Sequence, residues 1–269
     1  MRIMHIGKNL IIDNKVVSNI VFYPRKTLIP ANLAPNIHPL QFKITKNITI
    51  GGIFFQQDEN IPTILLFHGN GEIALDYIYS ARFFFEIGVN LAVMDFRGYG
   101  FSTGDPYYTS LIADAMPIYS DLKKWMDSRE FIDTIFVLGR SLGSVCASEI
   151  GANNPMEVKG IIFESGFASI YNLMTQLFRV KSSQMSPSSL TKYSNDFRVR
   201  KFNKPVLIIH GSSDMIIPHS EAILLYKNVP ENVEKKLVTI EGAGHNDIIN
   251  YRKEYFTSIE EFVNKNKYL

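Results

Sequence analysis

Thr134-Ile135-Phe136-Val137-Leu138-Gly139-Arg140-Ser141-Leu142-Gly143 decides how this chain is read. The first five residues form a short β-favouring run, apolar after Thr134, of the kind buried on both faces of a sheet. Gly139 to Gly143 then match the pattern G-x-S-x-G, and the stretch from about residue 142 to 152 has helical texture. Strand, tight turn and helix in that order suit a nucleophilic serine. Its hydroxyl is weak alone and must stand exposed at the top of a sheet, within reach of a base. Glycines on either side leave no side chain to collide with the cramped backbone.

Outward from this turn the chain alternates between two textures. Strand candidates are Thr63–Phe67, Asn90–Asp95, Thr134–Leu138, Lys159–Phe163, Pro205–His210 and Lys236–Ile240. Helical spacing falls near 73–87, 109–128, 142–152, 219–228 and 247–265. Such βαβ alternation predicts an α/β fold, a mostly parallel sheet flanked by helices, with every strand's C-terminal end on one edge. Two segments depart from the rhythm. Residues 10–57, with Leu10–Val17, Ser18–Tyr23 and Phe42–Gln57, read as antiparallel strands on the N-terminal side, joined by a Pro-rich loop. Residues 167–198 exceed an ordinary connection, with a helical piece at Ile170–Val180 and a Ser/Gln/Pro run at Lys181–Thr191. They read either as a helix plus surface loop or as a small cap over a pocket. About eight strands in one domain spanning 1–269 is the expectation.

A nucleophilic serine needs an acid and a base downstream in the order Ser, acid, His. The strand Pro205–His210 ends in Gly211-Ser212-Ser213-Asp214, and Lys236–Ile240 ends in Glu241-Gly242-Ala243-Gly244-His245. Ser141, Asp214 and His245 are therefore the catalytic candidates, each at the end of a strand. The alternative for Asp214 is an ordinary turn aspartate, and for His245 a loop or helix-cap histidine. His68, His210 and His219 read as structural, while His5 and His38 lie outside the core pattern. After Thr63–Phe67 comes His68-Gly69-Asn70-Gly71-Glu72, a Gly-rich turn before a helix, where backbone N–H groups can point inward. The N–H groups of Asn70 and Leu142 are the candidate oxyanion hole. Glu72 reads either as a helix-start carboxylate or as a pocket residue. Phe167, Met215 and Ile216 are the candidate substrate contacts. Ile170, Leu173, Met174, Leu177 and Phe178 recur at helical spacing, as core or as an acyl-pocket wall.

With these residues assembled, the chain from about Ile61 onward resembles the α/β-hydrolase superfamily. His68-Gly69-Asn70-Gly71 is similar to its oxyanion turn, and Asp95-Phe96-Arg97-Gly98-Tyr99-Gly100-Phe101-Ser102-Thr103-Gly104 to its loop after the fourth strand. The combination of motifs resembles the Bem46-like and ABHD17-like group and the broader serine-aminopeptidase-like hydrolases. The resemblance implies Ser141 as nucleophile, His245 as general base and Asp214 as its orienting acid. It treats Asp95–Gly104 as architectural, with Asp114 bonded to that loop. Cleavage of carboxylic esters or thioesters through an acyl-enzyme is the expected activity. A serine peptidase or amidase, an acyltransferase and a catalytically silent binding module stay open.

Composition excludes several other classes. Of 269 residues 46% are apolar and 20% charged, as in ordinary globular chains rather than disordered or fibrous ones. A balance of 28 basic against 26 acidic residues gives no electrostatic footprint for nucleic acid. Apolar runs are strand length, too short to span a bilayer, and Met1–Lys8 is interrupted before a signal-peptide stretch forms. The lone Cys146 cannot form an intramolecular disulfide. A cytoplasmic enzyme acting on a small acyl substrate, without metal or organic cofactor, is the resulting expectation; neither zinc nor P-loop spacing is present.

Overall fold

One eight-stranded sheet organises the computed structural model, which describes residues 10–269. The readings made on Met1–Lys8 and His5 lie outside the described residues. The strands are β1 (Ile37–Lys43), β2 (Thr49–Phe55), β3 (Thr63–Phe67), β4 (Asn90–Met94), β5 (Ile135–Arg140), β6 (Val158–Glu164), β7 (Val206–Gly211) and β8 (Lys235–Ile240). Their order is β1-β2-β4-β3-β5-β6-β7-β8. β2 runs antiparallel to both neighbours, and all pairs from β4 to β8 are parallel. This is the mostly parallel sheet expected from the alternating textures, with its antiparallel strands on the N-terminal side.

Period-two alternation in the strands divides the core into two layers. Leu65, Phe67, Val137, Ile161, Phe163, Val206 and Ile208 face one side, whereas Ile64, Leu66, Phe136, Leu138, Ile162, Leu207 and Ile209 face the other. Against the first face pack helices α1 (Lys15–Val21), α3 (Tyr108–Asp127), α4 (Ser144–Asn153) and α8 (His219–Asn228). Against the second pack α2 (Ala81–Glu86) and α9 (Arg252–Asn266), the latter through Tyr255, Phe256, Ile259, Phe262 and Val263. Their i, i+1, i+4, i+7, i+8 spacing gives α9 its apolar stripe. Each fully buried Phe or Ile contributes about 1.5–3 kcal/mol, so the two layers hold the strand ends firmly in register. Among the described residues no helix is long and apolar enough to cross a membrane.

Three local expectations are corrected. Leu10–Tyr23, read as strands, is helical: a 3₁₀ turn at Ile11–Asp13 leads into α1. Asn14 caps α1 by accepting from the N–H of Val16, and Val17 and Val21, one turn apart, bury against the core. The β-branched residues suggested strand, but the cap and the i, i+4 burial decide for helix. The helix expected at 73–87 is broken into a 3₁₀ segment, Ala74–Ile78, and α2. The Lys181–Thr191 run contains helix α6 (Pro187–Leu190), which Ser186 caps through the N–H of Ser189. Around it, α5 (Ile170–Asn172) continues as a π turn over Leu173–Leu177, and α7 (Asn195–Arg198) returns the chain towards β7.

Candidate active site

The C-terminal ends of β3, β5, β7 and β8 lie on one edge of the sheet, and each carries one part of the site. β5 ends at Arg140, and Ser141 follows with φ +50°, a left-handed conformation that costs a non-glycine residue about 1–2 kcal/mol. A Cβ on Gly143 would run into the carbonyl of Phe67 at the end of β3, so only glycine lets the turn press against that strand. Held this way, Ser141 presents its hydroxyl at the start of α4.

β7 delivers Asp214 and β8 delivers His245. His245 Nε2 is 2.9 Å from Ser141 Oγ, and its Nδ1 is 2.7 Å from Asp214 Oδ2. All three side chains are buried, with residue exposures of 9% for Ser141, 6% for Asp214 and 8% for His245. The other oxygen of Asp214 accepts from the main-chain N–H groups of Ile216 and Ile217, at 2.9 and 2.8 Å. His210 Nε2 lies 3.3 Å from Asp214 Oδ2 while bonding the Ile217 carbonyl at 2.8 Å. Burial raises the Asp214 carboxyl, but hydrogen bonds from His210, His245 and the Ile217 N–H outweigh it and hold the group well below its ordinary range. A permanent carboxylate facing an imidazole that faces a hydroxyl is a path along which the hydroxyl proton can leave.

Beside Ser141 opens a cavity of about 300 Å³. Leu142, Phe167, Leu173, Leu177, Phe178, Ile216 and Ile217 give it an apolar wall; Tyr23, Asn70, Arg140 and Asn246 give it polar edges. Among the described residues no carboxylate lines it. Asn70 and Leu142, the two candidate oxyanion-hole residues, both line this cavity. The side chain of Asn70 is occupied elsewhere. Its Oδ1 accepts from the Tyr23 N–H at 3.1 Å and the Tyr99 hydroxyl at 2.7 Å, and its Nδ2 donates to the Val21 carbonyl at 2.6 Å. The amide side chain thereby fixes the segment after α1 as one edge of the cavity.

The sequence-selected residues divide clearly. Ser141, Asp214, His245, Asn70, Leu142, Phe167 and Ile216 converge. Met215 does not line the cavity at Ser141: it is 92% exposed and borders an adjoining hollow of about 160 Å³ that shares Phe167, Leu173, Leu177, Ile216 and Ile217. Of the helical stripe, Leu173, Leu177 and Phe178 reach the cavity while Ile170 and Met174 are core. Glu72 stays out of it, accepting from the Gly69 N–H at 3.0 Å and the Tyr77 hydroxyl at 2.8 Å. The helix expected after the Asn70 turn is only the short 3₁₀ segment Ala74–Ile78, whereas α4 begins at Ser144, directly after the Ser141 turn, with its positive end there. His68 and His219 sit in structural hydrogen bonds, to the Gly69 carbonyl and the Thr239 hydroxyl. Asp114 pairs with Arg97 of the Asp95–Gly104 loop at 2.6 Å. Tyr23, Arg140, Ile217 and Asn246 were not singled out by sequence reasoning. Only Arg140 carried a signal, a charged residue at the end of a buried strand, which demands buried partners.

Comparisons with known proteins agree with this architecture. The family described as "Serine aminopeptidase, S33" matches residues 58–200. Protein bem46 of Schizosaccharomyces pombe is 29% identical over 214 residues, covering 78% of this chain and 70% of the relative. The human alpha/beta hydrolase domain-containing protein 17B is 28% identical over 229 residues, covering 83% and 74% respectively. Among solved structures, the Pyrococcus furiosus esterase Pf2001 superposes with a TM-score of 0.69 at 18% identity, covering 91% of this chain and 99% of that one.

Proposed function

The chain belongs to the serine aminopeptidase S33 family of α/β-hydrolases, and from that premise we propose a serine hydrolase that cleaves carboxylic ester or thioester bonds. The single observation that carries this reading is the unbroken Asp214–His245–Ser141 hydrogen-bonded chain opening on an apolar cavity. In the proposed cycle His245 takes the proton of Ser141 as Oγ attacks the carbonyl carbon. Asp214 keeps the imidazole oriented and stabilises its charged form. The N–H groups of Asn70 and Leu142 hold the developing oxyanion, where losing one donor typically costs about 10²–10³ in turnover. His245 then protonates the leaving group, and water repeats the sequence on the acyl-enzyme.

Cavity chemistry favours a neutral acyl group over the substrate of an aminopeptidase. A free α-ammonium needs a carboxylate to offset its desolvation. Asp214 is committed to His245, and Glu72 to Gly69, Tyr77 and Arg140. The apolar wall from Leu142 to Ile217 instead suits a hydrocarbon chain, with Phe167 and Ile216 among its contacts. Residues 167–198 act in this reading as a small cap, since Leu173, Leu177 and Phe178 close one side of the cavity. Cys146, buried and free, suits a cytoplasmic enzyme.

The test is turnover of p-nitrophenyl esters of increasing chain length beside aminoacyl-naphthylamides. Hydrolysis of butyrate and longer esters in preference to acetate, with naphthylamides poor and Ser141→Ala down by about 10⁴-fold or more, is the expected result. Full activity in Ser141→Ala, or naphthylamides as the better substrates, overturns it.

A further inference from the structure

Arg140, immediately before Ser141, holds more partners than a turn residue needs. Its Nη1 is 3.0 Å from Glu72 Oε1 and its Nε 3.2 Å from Glu164 Oε1. Nη2 donates to the His245 main-chain carbonyl and to Asn246 Oδ1, both at 3.3 Å. Those partners sit in different places: Glu72 in the turn after β3, Glu164 at the end of β6, and His245 with Asn246 in the loop after β8. Glu72 passes the connection on by accepting the Gly69 N–H, which fixes the turn that carries Asn70. Glu164 is braced by the Tyr255 hydroxyl at 2.7 Å.

Two carboxylates around one cation, largely out of water, are a costly arrangement, and buried ion pairs of this kind are weak contributors to stability. Charge neutralisation alone would need only one of them. What the cluster does supply is a planar fork whose nitrogens reach separate loops at fixed angles, which an ammonium cannot imitate. Burial works against the guanidinium's charge, yet the fields of Glu164 and Glu72 outweigh it and raise its pKa above the ordinary arginine value.

We propose that Arg140 is a positioning residue: its guanidinium sets the spacing between the Asn70 turn, Ser141 and the His245 loop. It acts through those loops, so its removal leaves every reacting group present but misplaced. This inference rests on the serine-hydrolase reading of the same site. Misplacement by about an ångström costs roughly 10² in rate, so kcat carries the loss while KM, set by the apolar wall, stays near the wild-type value.

The experiment compares wild type, Arg140→Ala and Arg140→Lys in p-nitrophenyl ester turnover, fluorophosphonate labelling rate and amide hydrogen exchange. Both variants are expected to lose about 10² in kcat and in labelling rate with little change in KM. Millimolar guanidinium, reaching the vacated space through the cavity that Arg140 borders, is expected to restore Arg140→Ala at least tenfold, and urea is not. Exchange at the Gly69 amide should quicken in both variants. Wild-type kcat in Arg140→Ala, or unchanged Gly69 exchange, overturns the positioning role. An unlabelled wild type would overturn the hydrolase reading instead, and Gly69 exchange still decides the tie. Should Arg140→Ala not fold, Arg140→Lys carries the same comparison.

Discussion

Asp214 Oδ2 lies 2.7 Å from His245 Nδ1, and the same carboxylate is gripped by the Ile216 and Ile217 N–H groups and approached by His210. The carboxylate cannot turn away from the imidazole without breaking main-chain hydrogen bonds. It therefore fixes the tautomer in which Nε2 is free to accept the Ser141 proton. Asp214→Asn retains the shape but offers the imidazole an amide in place of a charge. A fall of about 10⁴ in kcat is expected, read by initial rates on a p-nitrophenyl ester, with KM changed little.

Acid stability follows from the same contacts. Because the folded-state pKa of Asp214 is held below its ordinary value of 3.8, the carboxylate contributes stability that is fully present above that value. It is lost as pH falls through the depressed folded pKa. Urea midpoints measured from neutral pH down to about pH 3 are expected to decline less steeply in Asp214→Asn than in wild type. Parallel declines would show that the carboxylate is not held as described.

The Asn70 side chain and the Asn70 main chain have separable duties. Asn70→Ala removes the amide that binds Val21, Tyr23 and Tyr99 but keeps the main-chain N–H proposed for the oxyanion hole. A stability loss of about 1–3 kcal/mol from unpaired polar groups is expected by denaturant titration. Turnover should fall far less than in Asp214→Asn. A collapse of kcat equal to that of Asp214→Asn would instead assign the side chain a direct part in the chemistry.

Cys146, on α4, is fully buried, and its thiol donates towards the Leu111 carbonyl. Burial pushes the thiol well above its usual pKa, with the carboxylates of Asp114 and Glu149 adding to the effect. The reactive thiolate is thus scarce at neutral pH. Iodoacetamide is expected to leave the native protein unmodified, as read by intact mass, and to alkylate it once in urea. Rapid native alkylation would contradict the packing of α4 on the sheet.

Local signals make much of this fold legible in the sequence. The buried strands carry unbroken apolar runs, and the candidate site residues are marked by the G-x-S-x-G turn, the Gly-rich turn at Asn70 and the acid and histidine in loops after later strands. Leu10–Tyr23 misled because Val16 and Ile20 are exposed on α1, so its apolar content suggested a sheet while its burial follows Val17 and Val21. Arg140 stayed hidden for another reason. Its importance lies in Glu72, Glu164 and Asn246, which no local pattern places beside it. Tyr23 likewise enters the site only through the Asn70 amide, a contact between distant segments. Met215 looked like a pocket residue from its place beside Asp214, but the two main-chain bonds to that carboxylate turn Ile216 and Ile217 inward and leave Met215 in solvent.

The proton path from Ser141 to His245 is tested most directly by labelling with a serine-directed fluorophosphonate, followed by peptide mapping. Modification of wild type at Ser141, abolished in Ser141→Ala and slowed by orders of magnitude in His245→Ala, is the predicted result. Labelling of another serine, or equal labelling of wild type and His245→Ala, would contradict it.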